Sequence, residues 1–115
     1  MALSWKGTKM NISNFVQVFD MNDTSEKNLY LKGVVVGKYQ NDILSRWYAT
    51  QDIQIADFEK YICKRLSDFV GYPITNKVDI LQADKDCKIK SGMNIADWIK
   101  NWMIEETREE LLNNG

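Results

Sequence analysis

The chain contains no histidine, and that absence removes more chemistry than any residue present supplies. Ser-His-Asp and Cys-His catalysis, HExxH centres and most zinc sites all need an imidazole. Only two cysteines occur, Cys63 and Cys87, too few for a disulfide scaffold and without CxxC spacing. They read as the reduced thiols of an intracellular protein. One proline and six glycines in 115 residues exclude collagen-like and Pro/Gly-rich disordered chains. No apolar run approaches the ~18 residues that a membrane helix needs. The opening MALSWKGTKMNISN lacks the apolar core and cleavage site of a signal peptide. A cytoplasmic protein with no membrane partner is therefore expected. Charge of one sign is missing too: 15 basic and 16 acidic residues leave a net −1. Any charged partner must then be met by a local patch rather than by an overall field.

What is present is ordinary globular material, 44% hydrophobic and 27% charged, of a length that suits one domain over residues 1–115. The stretch from Leu29 to Thr50 reads as a β-hairpin. Two runs rich in Val, Ile, Leu, Tyr and Trp flank the polar break Gln40-Asn41-Asp42, where Asn and Asp tolerate tight turns. Residues 14–21 fit a helix, through Ile12, Phe15, Val16 and Phe19, or a strand, through Val16, Val18 and the flanking aromatics. Read as a strand, because a polar connection leads straight into the next one, they give an antiparallel meander over about 14–21, 29–39 and 43–50. From Ile55, apolar residues recur at Phe58, Ile62, Leu66 and Phe69, which is helical spacing. Asp52 is the expected N-cap, Gly71 the residue that ends the helix, and Pro73 bars its continuation. Lys77 to Gln82 reads as a short strand. Residues 83–93 read as a turn-prone connection with a brief strand at Cys87-Lys88-Ile89. Asn94 caps a last helix with Ile95, Trp98, Ile99, Trp102 and Met103 inward. Its glutamate-rich end opposes the helix dipole, so fraying is expected there. The expected fold is α+β: an antiparallel sheet of three to five strands with two helices, about 54–70 and 94–112, on one face.

Motifs for cofactors and metals fail on inspection. Asp84-Lys85-Asp86-Cys87-Lys88 begins like a calcium loop but places Lys88 where a third oxygen ligand belongs. Gly33 to Lys38 is one residue short of a phosphate loop, and no Ser or Thr follows the lysine. Gly33 and Gly37 read instead as bulge or close-packing positions. Paired acids such as Asp84 with Asp86, or Asp57 with Glu59, read as solvated. No catalytic residue, cofactor or metal is expected. Cys63 sits beside its helix's core stripe and reads as an inert buried thiol, whereas Cys87, between Asp86 and Lys88, reads as exposed and reactive.

Two clusters stand out. Tyr30, Lys32, Lys38, Tyr39, Arg46 and Trp47 interleave cations and rings on the expected hairpin, as a nucleic-acid platform does; a half-exposed sheet face has the same composition. Trp98 and Trp102 lie one turn apart on the last helix, followed by Glu105, Glu106 and Glu109. Its apolar residues, Ile104 included, cover more than one narrow stripe. Residues 98–112 are thus the expected self-association or partner surface, with a tryptophan anchor and a glutamate rim.

Tyr30-Leu31, Gly37-Lys38-Tyr39, Trp47 and Ala56-Asp57-Phe58-Glu59, followed by Asp79-Ile80-Leu81-Gln82-Ala83-Asp84 and Asn94-Ile95-Ala96-Asp97-Trp98, give an order of motifs that resembles the opening domain of ArdA-type antirestriction proteins. The resemblance spans residues 29–103. It implies a related fold and a phage or mobile-element origin, and no functional residue is carried across. Family members are strongly acidic and inhibit by presenting DNA-like rows of carboxylates. Here Lys6, Lys9, Lys27, Lys32, Lys38, Arg46, Lys60, Lys64 and Arg65 offset the acids, so mimicry of that kind is not implied. The expected function is a non-enzymatic protein-binding module, a small inhibitor or adaptor. The alternatives are nucleic-acid binding through residues 30–47, or an enzyme or enzyme subunit working without histidine.

Overall fold

The computed structural model describes residues 20–114. Among them the chain forms β1 (Glu26–Leu31), β2 (Val34–Gln40), α1 (Asn41–Ala49), a 3₁₀ turn (Ile55–Asp57), α2 (Phe58–Val70), α3 (Lys77–Ser91) and α4 (Ile95–Asn114). The class is α+β, but among the described residues the sheet has two antiparallel strands rather than three to five, and four helices stand in place of two.

The hairpin lies earlier than the composition suggests. Lys32 and Gly33, at φ 50° and 81°, form its two-residue turn. Positive φ at both positions matches the right-handed twist of the strands on either side. Leu31 pairs with Val34 and Asn28 with Lys38, and the register slips between Asn28 and Tyr30. Gly37, at φ 130°, is the extra residue on β2. The slip turns Val36 and Tyr39, three apart, to the same buried side as Leu29 and Leu31. Gly37 itself lies against the first turn of α4: a Cβ built there would come within 2.6 Å of Ala96 Cβ.

Gln40-Asn41-Asp42 is therefore not a turn, and residues 43–50 are not a strand. They form α1, because Leu44, Trp47 and Tyr48 pack at helical spacing while Asn41 is wholly buried at its start. Its Oδ1 accepts from the Asp20 backbone N–H at 2.9 Å and from Ser45 Oγ at 3.1 Å, so the amide is satisfied indoors. Residues 14–19 of the expected first strand lie outside the described residues; Asp20–Asp23 form a turn closed by Asp23 N–H to Asp20 O at 3.1 Å.

The middle helix follows its periodicity. Phe58, Ile62, Cys63 and Leu66 are buried, and Gly71 ends it at φ 92°. The 3₁₀ turn, not Asp52, leads into it. Residues 77–82 and 83–93 are neither strand nor loop but one helix. Asn76 Oδ1 accepts from Asp79 N–H at 3.0 Å, the Asp79 carboxylate accepts from Thr75 N–H at 2.8 Å, and Gly92 closes the other end at φ 76°. α4 starts where Asn94 predicts, with Asp97 N–H donating to Asn94 Oδ1 at 2.8 Å. It runs on to Asn114. Its spine, Ile95, Ile99 and Met103, is buried, and the helix touches β2, α1 and α3.

Cys87 is also a correction. It faces inward with Ile80 and Ala83 and is fully buried, as Cys63 nearly is. Burial pushes the Cys63 thiol up to about 11, with Glu59 adding to the effect and Lys32 opposing it. Burial likewise raises Cys87, against the hydrogen bond it shares with Ser91. Since the thiolate is the reactive form, both cysteines should label slowly in the native state at about pH 8 and rapidly in denaturant. Fast native labelling of Cys87 would show that the inner face of α3 is wrongly assigned.

Candidate protein-interaction groove

α4 presents three faces, and each does something different. The core face has been described. A second face, toward α2, builds a ladder of rings. Trp98 stacks on Phe69 at 4.9 Å and meets Trp102 edge-on at 5.9 Å, and Trp102 meets Trp47 of α1 edge-on at 5.3 Å. The Arg65 guanidinium lies over the Trp102 ring at 3.7 Å from its centroid. It also donates to Glu106 at 2.7 Å and to the Tyr61 hydroxyl at 3.1 Å. Glu106 accepts in turn from Trp47 Nε1 at 3.0 Å. This half-buried cation is stacked, ion-paired and hydrogen-bonded at once, an arrangement that suits a planar guanidinium and not an ammonium. It also ties Glu106, in the acidic stretch of α4, to α2.

Trp98 and Trp102 are thus half-buried and engaged within the chain, as is Glu106. Glu105 pairs with Arg108 at 3.4 Å on the surface, and Glu109 is exposed.

The third face is the open one. Beyond Met103, the outward residues Ile104, Leu111 and Leu112 are 38%, 66% and 74% exposed. With Thr107 and Arg108 they face Ile43 and Arg46 of α1 across a groove of about 450 Å³. α1 forms the opposite wall because Leu44 and Trp47 hold it to the core, which leaves Ile43 and Arg46 on the rim side. The floor is aliphatic. Both charged side chains that line the groove are arginines, 57% and 61% exposed.

The basic and aromatic hairpin cluster is dispersed. Tyr39 and Trp47 point into the core, where neither ring can stack on a base. Lys32 lies at the hairpin tip, its backbone N–H held by the Glu59 carboxylate. Tyr30 and Lys38 share the outer face of the strands, Lys38 donating to Asn28 Oδ1 at 3.0 Å. Arg46 belongs to the groove instead.

No family model, curated protein or solved structure matches the chain. The geometry therefore carries the functional argument by itself. Among the described residues, no group of three or more His, Cys, Asp or Glu could hold a metal ion, and no helix is long and apolar enough to cross a membrane. Arg46, Ile43 and the Leu111-Leu112 pair are functional candidates that sequence reasoning did not join. The signal available was the Leu111-Leu112 pair itself, which returns to the apolar register of Ile104 after a charged interval.

Proposed function

We propose that this chain is a non-catalytic protein-binding module, an inhibitor or adaptor, that works through the groove between α1 and the end of α4. The observation that supports it is the exposure of Ile104, Leu111 and Leu112 along one wall of an aliphatic groove. Contiguous apolar surface of that kind on a small domain marks an interaction site, and interface cores are more apolar than the rest of the surface, with arginine the charged residue enriched there. With a net charge of −1 the binding mode proposed is apolar docking rather than a row of carboxylates.

The test uses affinity capture from a host extract with quantitative mass spectrometry, comparing the wild-type chain with Leu111→Gln/Leu112→Gln. Both side chains are largely in water, so each change should alter stability by less than about 0.5 kcal/mol. Glutamine also keeps the helix propensity. A protein enriched by the wild type and lost with the variant is expected. Identical capture by both would overturn the groove as the binding surface.

A further inference from the structure

We infer that the groove's occupant is a second copy of this chain, seated through the end of its own α4. The inference rests on the protein-binding reading above and specifies the partner.

Charge decides between occupants. The groove's aliphatic floor is bordered by Arg46 and Arg108, and no carboxylate lines it. Arg46 lies 3.8 Å from the carboxylate of the mostly buried Asp42, and Arg108 pairs with the exposed Glu105 at 3.4 Å. The Arg108–Glu105 pair is exposed on both sides and therefore weak, and at 3.8 Å Asp42 stands beyond hydrogen-bond reach of Arg46, which leaves guanidinium donors to be met by a better-placed, partly desolvated carboxylate. An occupant must therefore bring aliphatic side chains at helical spacing with acids beside them. A cationic or purely apolar helix would bury the arginines unpaired.

The end of α4 meets both requirements. Leu111 and Leu112 are exposed, and so are Glu105 and Glu109, one turn apart on the same helix. The same segment is one wall of the groove. Two copies can therefore use one surface reciprocally, each offering leucines to the other's floor and Glu109 to the other's Arg46. Such a contact is isologous and closes as a dimer.

Sedimentation equilibrium of the full chain, from low micromolar to millimolar concentration at physiological ionic strength, tests this. The wild type should dimerise. Leu111→Gln/Leu112→Gln should weaken dimerisation by about tenfold or more with an unchanged circular dichroism spectrum. Arg46→Glu and Glu109→Arg, each first shown by circular dichroism to keep the wild-type fold because Arg46 lies beside the buried Asp42, should each dissociate the dimer, and an equimolar mixture of the two should recover it. A strictly monomeric wild type overturns the inference. So does a dimer that the leucine variant leaves intact, or a mixture that stays monomeric. The protein-binding reading has a separate failure, identical capture from extract by wild type and leucine variant, so a monomer that still loses a captured protein in the variant sinks only the inference.

Discussion

Replacing Trp47 with alanine is expected to cost roughly 3–5 kcal/mol, enough to bring a domain of ordinary stability, about 5–15 kcal/mol, to the edge of unfolding. The ring is fully buried. It stacks on Phe58 at 5.7 Å and touches Tyr61 and Trp102 at 5.8 and 5.3 Å. Alanine would open a cavity where α1, α2 and α4 meet. It would also leave Glu106 with Arg65 alone, since Trp47 Nε1 is the other donor to that carboxylate. Trp47→Phe separates the two contributions: it keeps most of the volume, loses the hydrogen bond, and should cost only about 1–2 kcal/mol. Urea denaturation followed by far-UV circular dichroism measures both. A loss below about 1 kcal/mol for the alanine variant would mean that the ring is not at the packing centre.

Gly37→Ala should also be strongly destabilising, although it adds one methyl group. At φ 130° an L-residue is strained, and the new Cβ would meet Ala96 Cβ at 2.6 Å and Asn94 Nδ2 at 3.1 Å. Ala96 Cβ is a fixed point on a helix, not the end of a flexible side chain, so α4 or β2 has to move. Strain and overpacking together should cost roughly 2–5 kcal/mol. Gly33→Asn is the control. It too has positive φ, but nothing lies within 4 Å of its Cβ position, and asparagine tolerates such a conformation. It should cost well under half as much in the same denaturation experiment. Equal losses at the two sites would show that backbone conformation alone, and not contact with Ala96, governs position 37.

The elements that could be read from sequence were those whose local signals agreed with one another. In α2 a single apolar stripe, Phe58, Ile62 and Leu66, ends at Gly71 and Pro73, and each cue points the same way. In α4, Asn94 does cap the helix. Where cues conflict, tertiary packing decided. α3 carries Ile80, Ala83 and Cys87 inward, but Val78, Leu81 and Ile89 outward at 71%, 50% and 81% exposure. Apolar residues on both sides erase the helical period, and Val78 with Ile80 then imitates a strand. Thr75, Asn76 and Asp79 at one end and Gly92 at the other were legible caps that the apolar pattern obscured. Lys32-Gly33 was hidden inside an otherwise continuous strand-like run. Asn41, a turn former by type, is instead a buried amide fixed by Asp20 and Ser45, contacts that composition does not encode. Of the candidate surface, the surplus of apolar residues late in α4 was visible. Which of them face water was not, because Arg65 claims Trp102 from a different helix and shifts the open surface on to Ile104, Leu111 and Leu112.

The ring ladder has an optical consequence. Of the four tryptophans in the chain, Trp47, Trp98 and Trp102 stand within 5.3 and 5.9 Å of one another along the ladder, and Trp5 lies outside the described residues. Indoles that close and steeply inclined couple their excited states, so they absorb and emit as a group. Their coupled bands fall in the far-ultraviolet, superimposed on the peptide signal, and a helix content taken from ellipticity at one wavelength will be biased by them. Emission carries complementary information. A cation over Trp102 and a carboxylate at the Trp47 nitrogen set the local field on the emitters, so their colour and intensity report whether α1, α2 and α4 are docked together. The described residues of the hairpin and of α3 contain no tryptophan and stay dark in that experiment.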